Sequence, residues 1–239
     1  PPAGGVAVVI VPQKVSPDDQ TLPAQVLLFP APDLLDASGL LKHGIEVRVE
    51  PALSGQNLTF PAGRAPTPQK VVLPATGIVQ EYPFDSYAVS ALVQVSSQPA
   101  DAASPIAVET SIHLRVPGWS GVDTTVAPAA GAGWVVATHL VRDGSTKSIA
   151  LLLLTLMIIL AAIAVLVTGS ATRGRMKLEL SVASWMTGLL FALLPIRGFF
   201  PDGPPLGSWM DILVFFWVEL ILMFCVGAVA TTILLRTRD

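Results

Sequence analysis

The sequence predicts an N-terminal all-β domain followed by an α-helical transmembrane bundle, and three observations carry that prediction. Apolar residues make up 52% of the 239 and charged residues only 13%, against roughly 25% charged in an average soluble domain. The charges are uneven, with 20 of the 31 in residues 1–147. Up to residue 147 apolar and polar residues alternate in short stretches, while residues 148–239 hold long uncharged runs. These two parts are the expected domains.

In the first part, alternation or short β-branched runs mark strands at 5–11, 24–29, 45–50, 69–73, 87–95, 106–116 and 134–141. IEVRVE (45–50) and SIHLRV (111–116) have the period of two of a half-buried strand. Breakers at Pro30, Pro32, Pro61, Pro66, Pro99, Pro105 and Pro117 separate the runs. Seven short strands with turns between them predict a β-sandwich of the Ig-like kind. The one cysteine, Cys225, falls in an apolar run, so the β domain has no disulfide and no thiolate metal site.

The string EYPFDSY (81–87) is the most distinctive in this domain. Pro83 presets a turn, and Tyr82, Phe84 and Tyr87 supply large apolar surfaces, two with polar tips. The Asp85 carboxylate is expected to cap backbone N–H groups within the loop. These five residues form a structural corner leading into the next strand.

Three spans follow, at about 149–168, 180–196 and 209–235. The first has some twenty residues without a charge, enough for a hydrocarbon core of ~30 Å. Strands are excluded for all three, because backbone exposed to lipid must satisfy its hydrogen bonds within its own segment. Arg173, Arg175 and Lys177 follow the first span, and Arg236 and Arg238 follow the third. Between the second and third, Arg197 is balanced by Asp202. The excess of cations places the 169–179 turn and the C-terminus in the cytoplasm and the β domain outside it, in a periplasm. Such a domain needs a preceding N-terminal helix or a cleaved signal peptide, and either suits a chain that starts at Pro1.

Glu219 lies about ten residues into the third span, where an ionisable side chain costs ~2.5–3.5 kcal/mol. Its expected neighbours are Ser184, Trp185 and Thr187 of the second span, and its expected role is interhelical glue, a partner contact or a proton relay. Arg197 and Asp211 flank the turn between the last two spans and are expected to pair at the outer interface. That turn is rich in Pro and Gly, and its Phe199, Phe200 and Trp209 suit the headgroup depth.

The chemistry inventory is short. The chain has no nucleotide-binding loop, zinc-protease helix or nucleophile elbow. His43, His113 and His139 are widely spaced and read as ordinary surface or partly buried side chains, and Asn57-Leu58-Thr59 as a chance sequon. Net charge is −3 with no basic patch, which argues against nucleic acid. No enzyme activity, metal or cofactor is expected.

LPIRGFFPDGPPLGSWMDILVFFWVEL (194–220), together with YPFDSY, resembles an actinobacterial membrane-protein family known only as a domain of unknown function. The resemblance implies an N-terminal helix, a β domain outside the bacterial inner membrane, and three C-terminal helices. Mycobacterial relatives are associated with envelope lipid traffic. One is an accessory subunit of the mammalian-cell-entry (Mce) lipid import complex, and another is a partner of the trehalose monomycolate exporter. This short chain looks closer to the first. The implied partners are membrane subunits of an Mce-type lipid transporter and membrane lipids, with no catalytic residues to carry over. The alternative is a lipid-binding protein, either holding an acyl chain between its sheets or serving the mycolate exporter. A remoter likeness links YPFD to the Cys-loop of pentameric ligand-gated channels. The chain lacks that loop's cysteines and any span with a one-sided polar stripe.

Overall fold

The computed structural model describes residues 1–98, 106–129, 133–175 and 180–236. The chain forms two compact units, residues 1–79 with 85–143, and residues 80–84 with 144–239. The expected boundary at 147 therefore moves to 143. The five residues 80–84, the first half of the corner string, belong with the helices.

The β unit has ten strands among the described residues: β1 (Val6–Pro12), β2 (Thr21–Pro30), β3 (Gly44–Glu50), β4 (Asn57–Phe60), β5 (Gln69–Pro74), β6 (Thr76–Gly77), β7 (Ser86–Gln98), β8 (Val108–Ile112), β9 (Trp119–Ala129) and β10 (Gly133–Arg142). One sheet has the order β5-β2-β1-β8, and the other β4-β3-β7-β10-β9 with β6 added beside β7. All pairings are antiparallel except β1 with β8.

The alternation seen in sequence explains the core. Val6, Val8 and Ile10 of β1 and Leu22, Ala24, Val26 and Leu28 of β2 point inward from one sheet. Ile45, Val47 and Val49 of β3 and Tyr87, Val89, Ala91, Val93 and Val95 of β7 point inward from the other, into the same buried cluster. Each large aliphatic side chain buried this way contributes about 1.5–3 kcal/mol. A slip of one residue would turn the whole set outward, which pins the register.

Three strands were not expected, and one is shorter than its pattern. β8 stops at Ile112, so residues 111–116 are not a single strand. Its ladder partner β1 ends at Pro12, which has no N–H to donate, and the last bond of the run is His113 N–H to the Ile10 carbonyl at 2.9 Å. β6 is too short to show a period, and β4 alternates over only four residues. β9 lacks alternation because residues 120–128 are exposed on both faces. It is an edge strand bent by a bulge, where Asp123 (φ 51°) and Thr124 face the single residue Thr138. Pro99, Pro105, Lys177 and Arg238, used above as breakers and orientation signals, lie outside the described residues.

The helical unit contains α1 (Gly144–Thr172), α2 (Leu180–Gly198) and α3 (Phe216–Arg236), with a π-helical turn at Asp211–Phe215 leading into α3. All three helices are long and apolar enough to cross a membrane. Each is somewhat longer than, or displaced from, its expected span. α1 ends where Gly174 takes φ +72°. Arg175 N–H then reaches the Ser170 carbonyl (3.0 Å) and Gly174 N–H that of Ala171 (3.2 Å), the paired bonds of a Schellman cap.

α3 packs against both other helices, which hardly touch each other. Its buried stripe, Val218, Leu222, Cys225 and Val229, has steps of four, three and four. That is the seam of a close-packed helix pair. Facing residues include Met157, Ala161 and Ala164 of α1 and Met186 and Leu193 of α2. The small α1 residues allow the backbone approach on which helix association in lipid depends. Arg236 at the end of α3 donates to the Ala171 carbonyl at 3.3 Å, so α1 and α3 finish at the same end. The outward faces carry large apolar side chains such as Leu152, Leu166, Phe191 and Phe224, each about two-thirds exposed.

Candidate functional site

The corner string serves both units. On the β side, Asp85 does not cap its own loop as expected. It pairs side-on with Arg142, the last residue of β10, with Nε–Oδ1 at 2.5 Å and Nη2–Oδ2 at 3.1 Å. Both side chains are 1% exposed. The Arg142 guanidinium also lies over the Trp119 ring at 4.5 Å, a favourable placement of a cation on an aromatic face. Tyr87 meets the same indole edge-on, at 5.6 Å between centroids.

A carboxylate brought into such a place alone would be strongly disfavoured, and the bidentate guanidinium is what permits it. Arg142 and Trp119 were not among the residues expected from sequence. Val136, Thr138, Leu140 and Arg142 share the buried parity of β10, so a charge at 142 demands a buried partner. That signal was available. The Tyr87 hydroxyl is buried without a partner at hydrogen-bonding geometry among the described residues. Burial, then the negative charge of Asp85, raises this phenol well above its ordinary value.

On the helical side, Tyr82 is buried and donates its hydroxyl to the Pro201 carbonyl at 3.1 Å. Its ring meets Phe200 edge-on at 6.3 Å. The Tyr82–Pro83 peptide is cis. Phe84 is exposed, and its N–H closes the turn on the Glu81 carbonyl at 2.8 Å.

Arg197 and Asp211 meet across the α2–α3 turn, with Nε–Oδ1 at 2.9 Å and Nη2–Oδ2 at 2.8 Å. Asp211 is fully buried, and it accepts the Gly207 N–H as well, while Arg197 also donates to the Pro204 carbonyl. One ion pair thereby organises the whole Pro- and Gly-rich reversal. Ser208 beside it has a buried hydroxyl with no partner among the described residues.

The structure does not bring Glu219, Ser184 and Thr187 together. Glu219 is half-buried and hydrogen-bonds to neither. Ser184 is exposed, and the Thr187 hydroxyl donates to the Ala183 carbonyl of its own helix at 2.9 Å. The expected interhelical network is therefore not formed by these three residues. Backbone acceptance of this kind recurs at Thr155, Thr172, Thr231 and Thr232 and satisfies hydroxyls without a neighbouring helix. Trp185 is nearly half exposed, and His43, His113 and His139 are exposed on the β unit.

Two open hollows lie in the helical unit. One, of about 540 Å³, runs between α1 and α3 past Ala161, Ala162, Val214 and Val218. The other, of about 370 Å³, has Tyr82, Phe84, Leu154 and Trp209 around it. Leu213 and Val214, in the π-helical turn, line both.

A two-sheet β domain followed by three apolar helices defines a membrane-associated protein whose recognisable features are structural ion pairs and apolar surfaces. Residues 1–140 match the domain of unknown function DUF4436, and the chain belongs to that family. Residues 142–236 match a second domain of unknown function, DUF8686. The change from one to the other falls beside the division between the two units at 143. No curated protein matches the chain.

Proposed function

We propose that this protein is a non-enzymatic accessory subunit of a lipid-transport complex in the bacterial inner membrane, most closely a counterpart of LucB in Mce-type lipid import. The helices cross the membrane as a multi-pass bundle and dock on transporter subunits, and the Ig-like β domain stands in the periplasm. The observation that carries the reading is a contrast in saturation. The inward side chains of both sheets are already buried against one another, while the helices present broad apolar faces and a half-buried Glu219 with no interhelical partner among the residues expected for it.

The filled β core favours contact over storage of an acyl chain between the sheets. Arg173 and Arg175 after α1, against Asp202 in the opposite turn, support the orientation. An intramembrane carboxyl with no hydrogen-bond partner among the described residues suits a contact with another membrane protein.

The test is purification of the tagged full chain from native membranes in mild detergent. Stoichiometric recovery of an Mce-type transporter is expected. Deletion should lower uptake of the cognate lipid while the transporter keeps its ATPase. Glu219→Leu should weaken the association and Glu219→Gln largely keep it, since glutamine retains hydrogen-bonding capacity. Recovery of the chain alone, or with the trehalose monomycolate exporter only, overturns the Mce assignment. Orientation is tested in a Cys225→Ser background. Thr172→Cys should be labelled from the cytoplasmic side and Leu206→Cys from outside, and the reverse pattern overturns the topology.

A further inference from the structure

We infer that the end of the helical unit where α1 and α3 finish holds the phosphate of an anionic phospholipid between Arg173, Arg175 and Arg236. The inference rests on the helices lying in a membrane, but neither on a transporter partner nor on which leaflet meets this end. A failure to recover a partner, or a reversed topology, would therefore leave it standing.

The three cations are brought together by the way the helices end. Gly174 turns the chain out of α1 with φ +72°, with Arg173 before it and Arg175 after it. Arg173 Nη1 donates back to the Gly169 carbonyl at 3.3 Å, and Arg236 Nη2 crosses from α3 to the Ala171 carbonyl, also at 3.3 Å. Arg236 Nη2 also lies 3.5 Å from where a Cβ on Gly174 would stand, so it sits against the turn that carries the other two. Carbonyls at a helix C-terminus hold a partial negative charge that favours cations there. Each of these two bonds occupies one nitrogen, and the rest of the guanidinium fork stays open to a second acceptor. All three arginines are exposed.

The two ends of the helical unit differ in charge. At the far end Arg197 is bound to Asp211, and Lys147 stands with Glu81 and Asp202. Near 169–175 and 230–236 no carboxylate is present among the described residues, and none of the three arginines has an ion-pair partner among them. Like charges gathered in this way repel, and an anion between them relieves the repulsion.

Depth selects the anion. α1 has 29 residues, or roughly 43 Å of helix axis, against about 40–45 Å for a bilayer with its headgroups. Arg173 and Arg175 therefore follow the helix at the level of the phosphates, and Arg236 reaches the same place from α3. The planar guanidinium matches phosphate oxygens in pairs. A headgroup phosphate already stands at that depth at high density, whereas an acidic protein segment must displace it. A zwitterionic headgroup brings an ammonium that the arginines repel, which favours an anionic phospholipid.

The test uses the full chain in symmetric phosphatidylcholine vesicles. A trace of phosphatidylglycerol or phosphatidylcholine carries a photoactivatable group beside the glycerol backbone. Phosphatidylglycerol labelling is expected to saturate near one lipid per chain and to map to 169–175 and 230–236. The phosphatidylcholine probe should label about tenfold less or weaker still, since each cation near an anionic headgroup is worth about fivefold. Arg236→Gln should lower phosphatidylglycerol labelling about fivefold, and adding Arg173→Gln and Arg175→Gln should lower it further. Lys147→Gln, which removes a cation at the far end, should leave it unchanged. Displacement by unlabelled phosphatidylglycerol but not phosphatidylcholine on the unsubstituted chain keeps the test decisive if an arginine variant fails to fold. Equal labelling by the two probes overturns the site, as does labelling that survives loss of all three arginines. An equal loss from Lys147→Gln means net charge alone and overturns it too. Displacement by millimolar glycerol 3-phosphate makes the anion a dissolved one and overturns the lipid assignment. So does a photo-crosslinker at 175 that captures a polypeptide in native membranes.

Discussion

Asp85–Arg142 in the β unit and Arg197–Asp211 in the helical unit are the same chemical object, a bidentate arginine–carboxylate pair with a buried acid. They differ in what surrounds them. Arg142 is 1% exposed and lies under an indole, so its pair is closed on every side by packing. Arg197 keeps 18% exposure, and its pair spends further bonds on backbone at Pro204 and Gly207. The first joins the start of β7 to the end of β10. The second shapes a turn whose proline- and glycine-rich backbone has few ladder bonds of its own. Buried charge is thus used once to tie strands and once to stand in for missing secondary structure.

The largest loss is expected at Asp85. Asp85→Ala strands the Arg142 cation in the β unit and should cost about 3–5 kcal/mol, read as a lowered melting transition of the full chain in detergent. Asp85→Ala with Arg142→Met removes both charges and should recover most of that loss. If the double variant is no better than the single one, the pair is not what holds these strands.

At Arg197 a gentler change is informative, because part of the group reaches solvent. Arg197→Lys keeps the charge but loses the fork that spans both Asp211 oxygens and Pro204, and should cost about 1–3 kcal/mol. Faster proteolysis in the 199–208 turn is the matching readout. Equal effects from Arg197→Lys and Arg197→Met would show that charge, not the fork, is what matters.

Tyr82→Phe removes one neutral hydrogen bond, to Pro201, while keeping the ring against Phe200, so a loss of about 0.5–1.5 kcal/mol is expected. The smallest effect belongs to Tyr87. Tyr87→Phe deletes a buried hydroxyl that lies beside the Asp85 carboxylate without a full-geometry hydrogen bond among the described residues, and should change stability by about 1 kcal/mol or less. Its pH dependence has a definite sign. The folded phenol titrates above its ordinary value of 10.0, so its stabilising contribution is complete below that pH and fades as pH rises through the folded value. The wild-type melting transition should therefore fall in strong alkali more steeply than that of Tyr87→Phe.

The two units were unequally legible. Strands β1, β2, β3, β5, β7 and β10 could be read because each has one buried and one solvated face, and a period of two records that directly. β9 was hidden because both its faces are exposed, and hydrophobic alternation reports burial rather than backbone pairing. The spans at 149–168, 180–196 and 209–235 could be read from length alone, since a helix in lipid needs no pattern to be apolar. Their true ends at Gly144, Thr172 and Arg236 depend on caps and on a bond from Arg236 across to α1.

The amino-acid order alone settles the division into a strand-rich part and an apolar helical part, because composition and period are local quantities. It also marked Arg197 and Asp211 as a natural pair across one short turn. Long-range packing takes Asp85 from its own loop to Arg142, 57 positions away, and groups Tyr82, three residues earlier, with the helices. Only tertiary structure left Glu219 without the expected bonds to Ser184 and Thr187. The physical reason is common to all three. A buried polar atom takes whichever partner the packing of distant elements delivers at hydrogen-bonding distance, and no nearest-neighbour pattern encodes that choice.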